Sequence, residues 1–320
     1  MIFNVNSGAG KQPVNVVPST NSSFTYDGSA KTPLWQNFDP EQLTISGADS
    51  ATNAGTHTVY FTPKADYEWW DGTSTPKEVK WSIAKAAGSL SLSATSATVT
   101  GKNSGAKTFT VTRAGDGVIS VSSSNTAYAT ASVSGTTVTV TPKGYGTATI
   151  TVSVAAGTNH TAPSSKTYTI TINVLYLYNA GNENTSVTGG WTSASKNIDD
   201  WGYAAGTPHM SKGATSMTFG TKVDAEGSIY YCKNKINLNG YTTLKYEGTI
   251  APDQQEWLSH GLIVWTSIGT YYTDNVAASV ELEGSGSSRS VNVSSLNSSY
   301  YIGFGTYVTP QLTMTKLWLE

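Results

Sequence analysis

Alternation of apolar and hydroxyl residues is the feature that most constrains the fold of this chain. Between residues 87 and 174, Val, Ile, Leu and aromatic residues occupy every second position of several short runs, and Ser or Thr fills the positions between them. A period of two is that of a β-strand with one buried face. No segment shows a sustained period of 3.6 residues, so the sequence predicts an all-β protein.

The chain divides into four parts by pattern and composition. Its 320 residues exceed what one small core organises, which favours two or three domains. We predict an N-terminal anchor or linker at 1–16, a first β-module at 17–86 (module 1), a second β-module at 87–174 (module 2) and a C-terminal recognition domain at 175–320 (module 3).

The composition excludes several functional classes. Charged residues make up 12% of the chain, the formal net charge is −2, and there is no basic stripe, so we expect no nucleic-acid partner. No apolar run approaches the roughly 20 residues that span a bilayer, so we expect no membrane partner. The single cysteine, Cys232, has no intrachain disulfide partner, and its strand-like surroundings predict a small buried apolar residue.

The N-terminal stretch offers two interpretations. Residues 2–5 are apolar and are followed by a flexible Ser-Gly-Ala-Gly-Lys run, which predicts either a peg that docks on a larger assembly or a frayed terminus. Residues 1–6 lack the basic region, apolar core and cleavage site of a signal peptide. A surface-type β-protein without an export signal is expected to be made in the host cytoplasm and released by lysis.

Module 1 carries motifs that resemble a known repeat. They are Tyr26-Asp27-Gly28-Ser29-Ala30, Asn53-Ala54-Gly55-Thr56, Phe61-Thr62-Pro63-Lys64, Trp70-Asp71-Gly72-Thr73 and Trp81-Ser82-Ile83-Ala84-Lys85-Ala86. Together they resemble the Ig-like module of MBG type found in bacterial surface proteins and in phages of gut Firmicutes. The resemblance implies a β-sandwich or β-grasp-like spacer without catalytic residues.

Modules 2 and 3 carry resemblances of their own. Residues 123–130 and 143–150 resemble the bacterial Ig-like group 2 fold, except that Tyr128 stands where that family has Val or a small residue. In module 3, Gly189-Gly190-Trp191, the run 236–244, the run 301–305 and residues 316–319 look like the carbohydrate-binding-like jelly-roll heads of phage tail and adhesin proteins. Taken together, the resemblances imply two Ig-like β-sandwich or β-grasp-like modules in tandem, at 17–86 (MBG type) and 87–174 (group 2 type), followed by a jelly-roll β-sandwich at 175–320. They also imply a phage virion protein that displays a recognition head.

Three loops of module 3 combine aromatic and polar side chains, as a sugar-binding site requires. The predicted ligand-binding residues are Trp201, Tyr203, Trp257, His260, Tyr271, Tyr272 and Asp274. The alternative at each loop is that the aromatic ring closes one end of the sandwich. Trp191, Trp265 and Trp318 lie in strand patterns, and we predict them in the core.

The sequence predicts neither catalysis nor a bound metal. Asp199, Asp200, Asp253 and Glu256 are candidates for a hydrolase carboxylate pair, but no local motif singles out two of them. The chain lacks nucleophile-elbow, zinc-protease and clustered Cys/His motifs. A structural calcium ion suits jelly-roll loops in general, yet no ligand spacing supports a location, so we predict no cofactor.

The leading hypothesis is a non-enzymatic phage protein, a tail- or capsid-surface fibre on the virion surface. Module 3 would bind host-surface carbohydrate, and the N-terminus would bind other virion proteins. One alternative is a capsid decoration or spacer protein without ligand binding. Another is the binding module of a cell-wall polysaccharide hydrolase.

Overall fold

The computed structural model describes residues 10–196, 208–221, 227–250, 261–269, 274–282, 288–307 and 312–320. Within these ranges the chain is built of β-strands, and the one helix there is the single turn α1, Thr185–Thr188. The prediction of an all-β, multi-domain fold is confirmed. None of the described residues forms a helix that is long and apolar enough to cross a bilayer.

Module 1 is built around one four-stranded sheet. Its strands are β1 (Gln12–Val14), β2 (Phe24–Thr25), β3 (Leu43–Gly47), β4 (Gly55–Pro63), β5 (Tyr67–Trp69) and β6 (Lys77–Ala84). The sheet order is β2-β6-β4-β3, and β1 pairs with β5 in parallel. Val59 and Phe61 are buried at alternate positions of β4, as the period of two predicts, and His57 stands at the edge with its ring 4.8 Å from that of Trp81.

The strand β1 lies inside the segment 1–16 that the sequence assigns to the anchor. Val14 is only 5% exposed and belongs to the same core cluster as Phe61 and Trp69. Residues 12–14 therefore contribute to the core of module 1.

Module 2 is a sandwich of two four-stranded sheets. Its strands are β7 (Ser89–Leu92), β8 (Ser96–Thr100), β9 (Lys107–Ala114), β10 (Ile119–Ser123), β11 (Ala129–Ser134), β12 (Thr137–Pro142), β13 (Gly146–Val154) and β14 (Lys166–Asn173). The sheet orders are β10-β13-β14-β8 and β11-β12-β9-β7. Inward side chains from both sheets form one core, in which the rings of Phe109 and Tyr168 stack 4.5 Å apart.

Module 3 is a larger two-sheet sandwich. Its strands are β15 (Leu175–Asn179), β16 (Asn182–Glu183), β17 (Trp191–Lys196), β18 (Pro208–Lys212), β19 (Met217–Thr221), β20 (Gly227–Cys232), β21 (Ile236–Asn237), β22 (Thr243–Ile250), β23 (Gly261–Trp265), β24 (Val276–Glu281), β25 (Ser288–Asn292), β26 (Ser299–Tyr307) and β27 (Leu312–Leu319). A seven-stranded sheet contains β15, β16, β18, β19, β22, β25 and β27. A six-stranded sheet contains β17, β20, β21, β23, β24 and β26.

Cys232 is fully buried in the core between these two sheets, as the sequence predicts. Burial raises the pKa of its thiol well above the ordinary range. The thiol therefore packs as an apolar group and does not present a reactive thiolate.

Both joints between modules are made by specific hydrogen bonds. At the joint of modules 1 and 2, Asn159 accepts from the backbone N–H of Ala54 at 2.8 Å and donates to the side chain of Asn53 at 3.1 Å. At the joint of modules 2 and 3, the Asn103 amide donates to the Asn239 carbonyl oxygen at 2.6 Å. Each module has its own core, and polar contacts fix it to the next.

Candidate functional site

Most of the predicted ligand residues lie outside the described ranges. This applies to Trp201, Tyr203, Trp257, His260, Tyr271 and Tyr272. Asp274 is described, and its half-buried side chain packs directly against Gly269 at the other end of the same connection. Asp199, Asp200, Asp253 and Glu256 also lie outside the described residues.

The described strands that flank the predicted loops end at two different ends of the sandwich. Residues 197–207 follow β17, whose last residue pairs with Gly227, and residues 251–260 precede Gly261. Both glycines lie in register with the last residues of β26. The connection that contains Asp274 instead follows Trp265, which pairs with Tyr301 near the start of β26. The five residues of β23 span four rises of about 3.3 Å each, so the two ends of this strand are roughly 13 Å apart.

The joint with module 2 lies at the same end of the sandwich as Trp265. Asn239, which contacts module 2, follows β21, and β21 pairs with the first two residues of β26. The strands flanking 197–207 and 251–260 therefore end at the opposite, distal end. This distal end is the one farther from the joint with module 2.

Within the described residues, an aromatic side chain faces outward from the middle of the seven-stranded sheet. Trp318 is partly exposed, whereas its neighbours Leu317 and Leu319 in β27 are fully buried. The prediction that Trp318 is a core residue is wrong. Trp191 and Trp265 are buried as predicted, although Trp265 packs with Ile229 and Ile263 in a separate cluster.

A β-bulge causes the outward orientation of Trp318. In β27 the register against β22 passes from Met314 to Lys316, so Thr315 is an extra residue opposite the Glu247–Gly248 step. Strict alternation from Met314 would direct Lys316 and Trp318 inward. The extra residue inverts the phase and places Leu317 in the core.

Trp318 lies in a row of outward side chains that crosses the sheet. Its strand partners are Tyr176 of β15 and Lys245 of β22, and Lys245 in turn pairs with Ser290 of β25. The rings of Tyr176 and Trp318 are 6.1 Å apart and tilted by 44°. We call Tyr176, Trp318, Lys245 and Glu320 the Trp318 surface.

Glu320 fixes the polar part of this surface. It accepts the indole N–H of Trp318 at 2.9 Å with one carboxylate oxygen and binds the Lys245 ammonium at 2.7 Å with the other. Partial burial raises the pKa of Glu320, but the hydrogen bonds from Lys245 and Trp318 outweigh it and leave the pKa below its ordinary value of 4.5. The carboxylate is therefore ionised at neutral pH.

A second ion pair lies one row further along the sheet. The Lys316 ammonium donates to both carboxylate oxygens of Glu247, at 3.1 and 2.9 Å, and these hydrogen bonds raise the pKa of Lys316. A cavity of about 390 Å³ opens between Trp318, Lys245, Arg289 and residues of the adjoining strands. An aromatic ring and two cations thus line one open recess, and Glu320 binds both the indole and the Lys245 ammonium.

This chemistry suits binding better than bond cleavage. A flat ring contacts the apolar face of a sugar, and charged groups bond its hydroxyls. A glycosidase acid needs a raised pKa so that it holds a proton at neutral pH, whereas Glu320 has a lowered one. Among the described residues, no three His, Cys, Asp or Glu side chains cluster as ligands for a metal ion.

The sequence signal for this surface was present but was assigned to the core. The run Thr-Lys-Leu-Trp-Leu at 315–319 contains one aromatic residue between two leucines, and periodicity alone does not say which set faces inward. Tyr176 and Lys245 gave no separate signal, since they come together with Trp318 only through strand pairing.

Comparisons with known proteins give remote likenesses only. No protein-family model matches the chain, and no curated protein sequence matches it. Among solved structures, domains 4 and 5 of the S-layer protein SbsC are 17% identical, with a TM-score of 0.24, over 49% of this chain and 99% of that chain. Carbohydrate-binding modules of the β-sandwich superfamily are 14% identical, with a TM-score of 0.30, over 74% of this chain and 98% of theirs.

A third likeness is to SGBP-B of the Bacteroides ovatus mixed-linkage glucan utilization locus, solved with a mixed-linkage heptasaccharide. It is 11% identical, with a TM-score of 0.14, over 98% of both chains. At these TM-scores none of the likenesses carries an argument about function, which has to come from the residues themselves.

Proposed function

We propose that this protein is a non-catalytic carbohydrate-binding protein in which modules 1 and 2 carry module 3 as the binding head. The observation that supports it is the outward Trp318, held beside Tyr176 and the Lys245–Glu320 ion pair. These groups offer a planar apolar ring next to fixed hydrogen-bonding charges, the combination that a pyranose ring requires.

The proposal extends to the loops identified in the sequence. Trp201, Tyr203, Trp257 and His260 belong to segments whose flanking strands end at the distal end of module 3, and we assign them to a second contact with the same polymeric ligand. The strands that flank the segment of Tyr271, Tyr272 and Asp274 end near module 2, and we assign this segment to a separate candidate contact. Several weak contacts, each with a Kd on the order of 1 mM, suffice when they act together.

The setting we propose is the surface of a phage virion, with bacterial surface glycan as the ligand. It rests on the resemblance of modules 1 and 2 to Ig-like modules of phage and bacterial surface proteins. Other virion proteins would hold the chain through its N-terminal part.

The test uses the fluorescently labelled full chain on candidate bacterial host cells, with and without periodate oxidation of surface glycans. We expect periodate-sensitive binding that Trp318→Ala weakens about tenfold, equivalent to about 1.4 kcal/mol. Trp70→Ala is the matched control, because Trp70 is 54% exposed beside Lys77 but lies in module 1. The double variant Trp201→Ala/Trp257→Ala tests the distal loops in the same assay.

Periodate-insensitive binding, or an equal loss with Trp318→Ala and Trp70→Ala, would contradict the assignment. A loss only in the Trp201/Trp257 double variant would move the site to the distal loops and keep the function. Unfolding is monitored by circular dichroism, so that a loss of binding is attributed to the site only in folded variants.

A capsid decoration or spacer role is the second candidate, and one observation favours it. Module 1 exposes the large apolar side chains Leu34, Trp70 and Val16, at 82, 54 and 51%. Exposed apolar side chains on the module nearest the N-terminus suit docking on another protein. Removal of residues 1–9 tests the anchor better than removal of residues 1–16, because the longer truncation would also delete the core residue Val14. If the shorter variant still decorates particles, residues 1–9 are not the anchor.

A further inference from the structure

A cleft between modules 2 and 3 carries a second inference. A cavity of about 470 Å³ opens there between the 102–106 segment of module 2 and the 237–240 segment of module 3. This volume lies within the range of about 300–1,000 Å³ that is usual for small-molecule sites. The cleft shares no lining residue with the Trp318 surface, and module 2 supplies six of its nine lining residues.

The side chains that line the cleft define a chemical class of ligand. They are the amides Asn103, Asn237 and Asn239, the hydroxyl of Thr141 and the cation Lys102. Amides donate and accept hydrogen bonds at once, which matches the hydroxyl groups of a sugar. Among the described residues that line the cleft there is one cation and no carboxylate, so the lining favours a hydroxylated anion.

Two of these amides are held in fixed orientations. Asn103 donates from its Nδ2 to the carbonyl oxygen of Asn239 across the joint, so its acceptor Oδ1 is not used in this bond. The Oδ1 of Asn237 accepts the backbone N–H of Asn239 at 2.9 Å, so Nδ2 is the atom of this amide that can donate to a ligand. Both amides line the cleft and are held by hydrogen bonds, and preorganised groups lose less entropy when a ligand binds.

Lys102 provides the positive charge of the cleft. Its ammonium lies 6.0 Å from the centre of the Tyr145 ring, and its charge contributes to the lowered pKa of Glu320 in module 3. The field of Lys102 therefore reaches across the joint.

We propose that this cleft binds a monosaccharide-sized hydroxylated anion, such as a hexuronate unit of an acidic polysaccharide. Asn103 and Asn237 bond the hydroxyls, and Lys102 faces the carboxylate. The site is additional to the Trp318 surface, with which it shares no lining residue.

The test is a titration of the full ¹⁵N-labelled chain with sodium D-glucuronate at constant ionic strength, with D-glucose as the neutral probe. We expect saturating shifts of the side-chain amide signals of Asn103, Asn237 and Asn239. Lys102→Gln should weaken glucuronate binding about two- to fivefold, the range of a partly exposed charge contact, and leave glucose binding unchanged. Asn237→Ala should weaken both.

The matched control is Asn292→Ala. Asn292 accepts the backbone N–H of Ser294 in the same type of turn, at 2.9 Å, but does not line the cleft. Absence of saturable shifts at the three amides would overturn the proposal, as would equal weakening by Asn292→Ala and Asn237→Ala. Shifts confined to Trp318 and its neighbours would also overturn it, while they would support the separate function proposed for that surface.

Discussion

The hydroxyl of Tyr241 in module 3 occupies the space that a side chain at Gly101 of module 2 would need. A Cβ at Gly101 would lie 2.5 Å from that oxygen. The relation is reciprocal, since a Cβ at Gly240 of module 3 would meet the Asn103 amide of module 2. Each module thus inserts one side chain against a glycine of the other, and both glycines have positive φ, +83° and +79°.

Gly101→Ala should therefore loosen the joint between modules 2 and 3. The new methyl group displaces Tyr241, and the left-handed backbone adds strain of about 1 kcal/mol. Small-angle X-ray scattering should show a larger maximum dimension, and proteolysis near residue 174 should become faster. Gly135→Ala is the control, because Gly135 also has a positive φ, +57°, but no atom lies near the position of its missing side chain. An equal effect of both variants would contradict the role of Gly101 in packing the joint.

Binding at the Trp318 surface should be constant from about pH 5 to 8 and should fall in more acidic solution. The pKa of Glu320 is lowered in the folded protein, so its contribution is complete above the ordinary value of 4.5 and is lost as the pH falls through the lower folded value. Protonation removes both the ion pair with Lys245 and the acceptor of the Trp318 N–H. Glycan binding measured as a function of pH tests this. In the Glu320→Gln variant the loss of binding in acidic solution should be smaller.

Cys232 should resist thiol reagents in the native protein. Its side chain is fully buried and its pKa is raised, so the thiolate that reacts is scarce at neutral pH. A colorimetric thiol assay should detect almost no reaction in buffer and one thiol per chain in guanidinium chloride. Comparable rates in the two solutions would contradict the packing.

Phe109→Ala should destabilise module 2 by about 3–5 kcal/mol, because it removes a buried ring and leaves a cavity beside Tyr168. Module 2 contains no tryptophan, so hydrogen exchange of β13 and β14 is a more specific measure than fluorescence. Val118→Ala is the control, since Val118 is 75% exposed and its truncation should change stability by less than about 0.5 kcal/mol.

The strand predictions succeeded where apolar residues alternate over several positions and failed where they do not. The alternation in module 2 predicts about seven short strands, and the structure has eight, with Val138 and Ile150 buried. In module 3 the sequence gives no strand signal for the hairpin β18–β19. The edge strand β18, at 208–212, has no apolar alternation, and β19 offers only Met217 and Phe219.

The sequence by itself determined that this protein is an all-β chain whose modules bury one face of each strand, because a period of two admits no other regular structure. It did not determine the surface that we propose for sugar binding. Trp318 faces outward because Thr315 forms a bulge opposite Glu247–Gly248, and one extra residue inverts every later side chain of β27. Only the tertiary structure decides that register, since the pairing with β15 and β22 selects which of Trp318 and Leu319 enters the core.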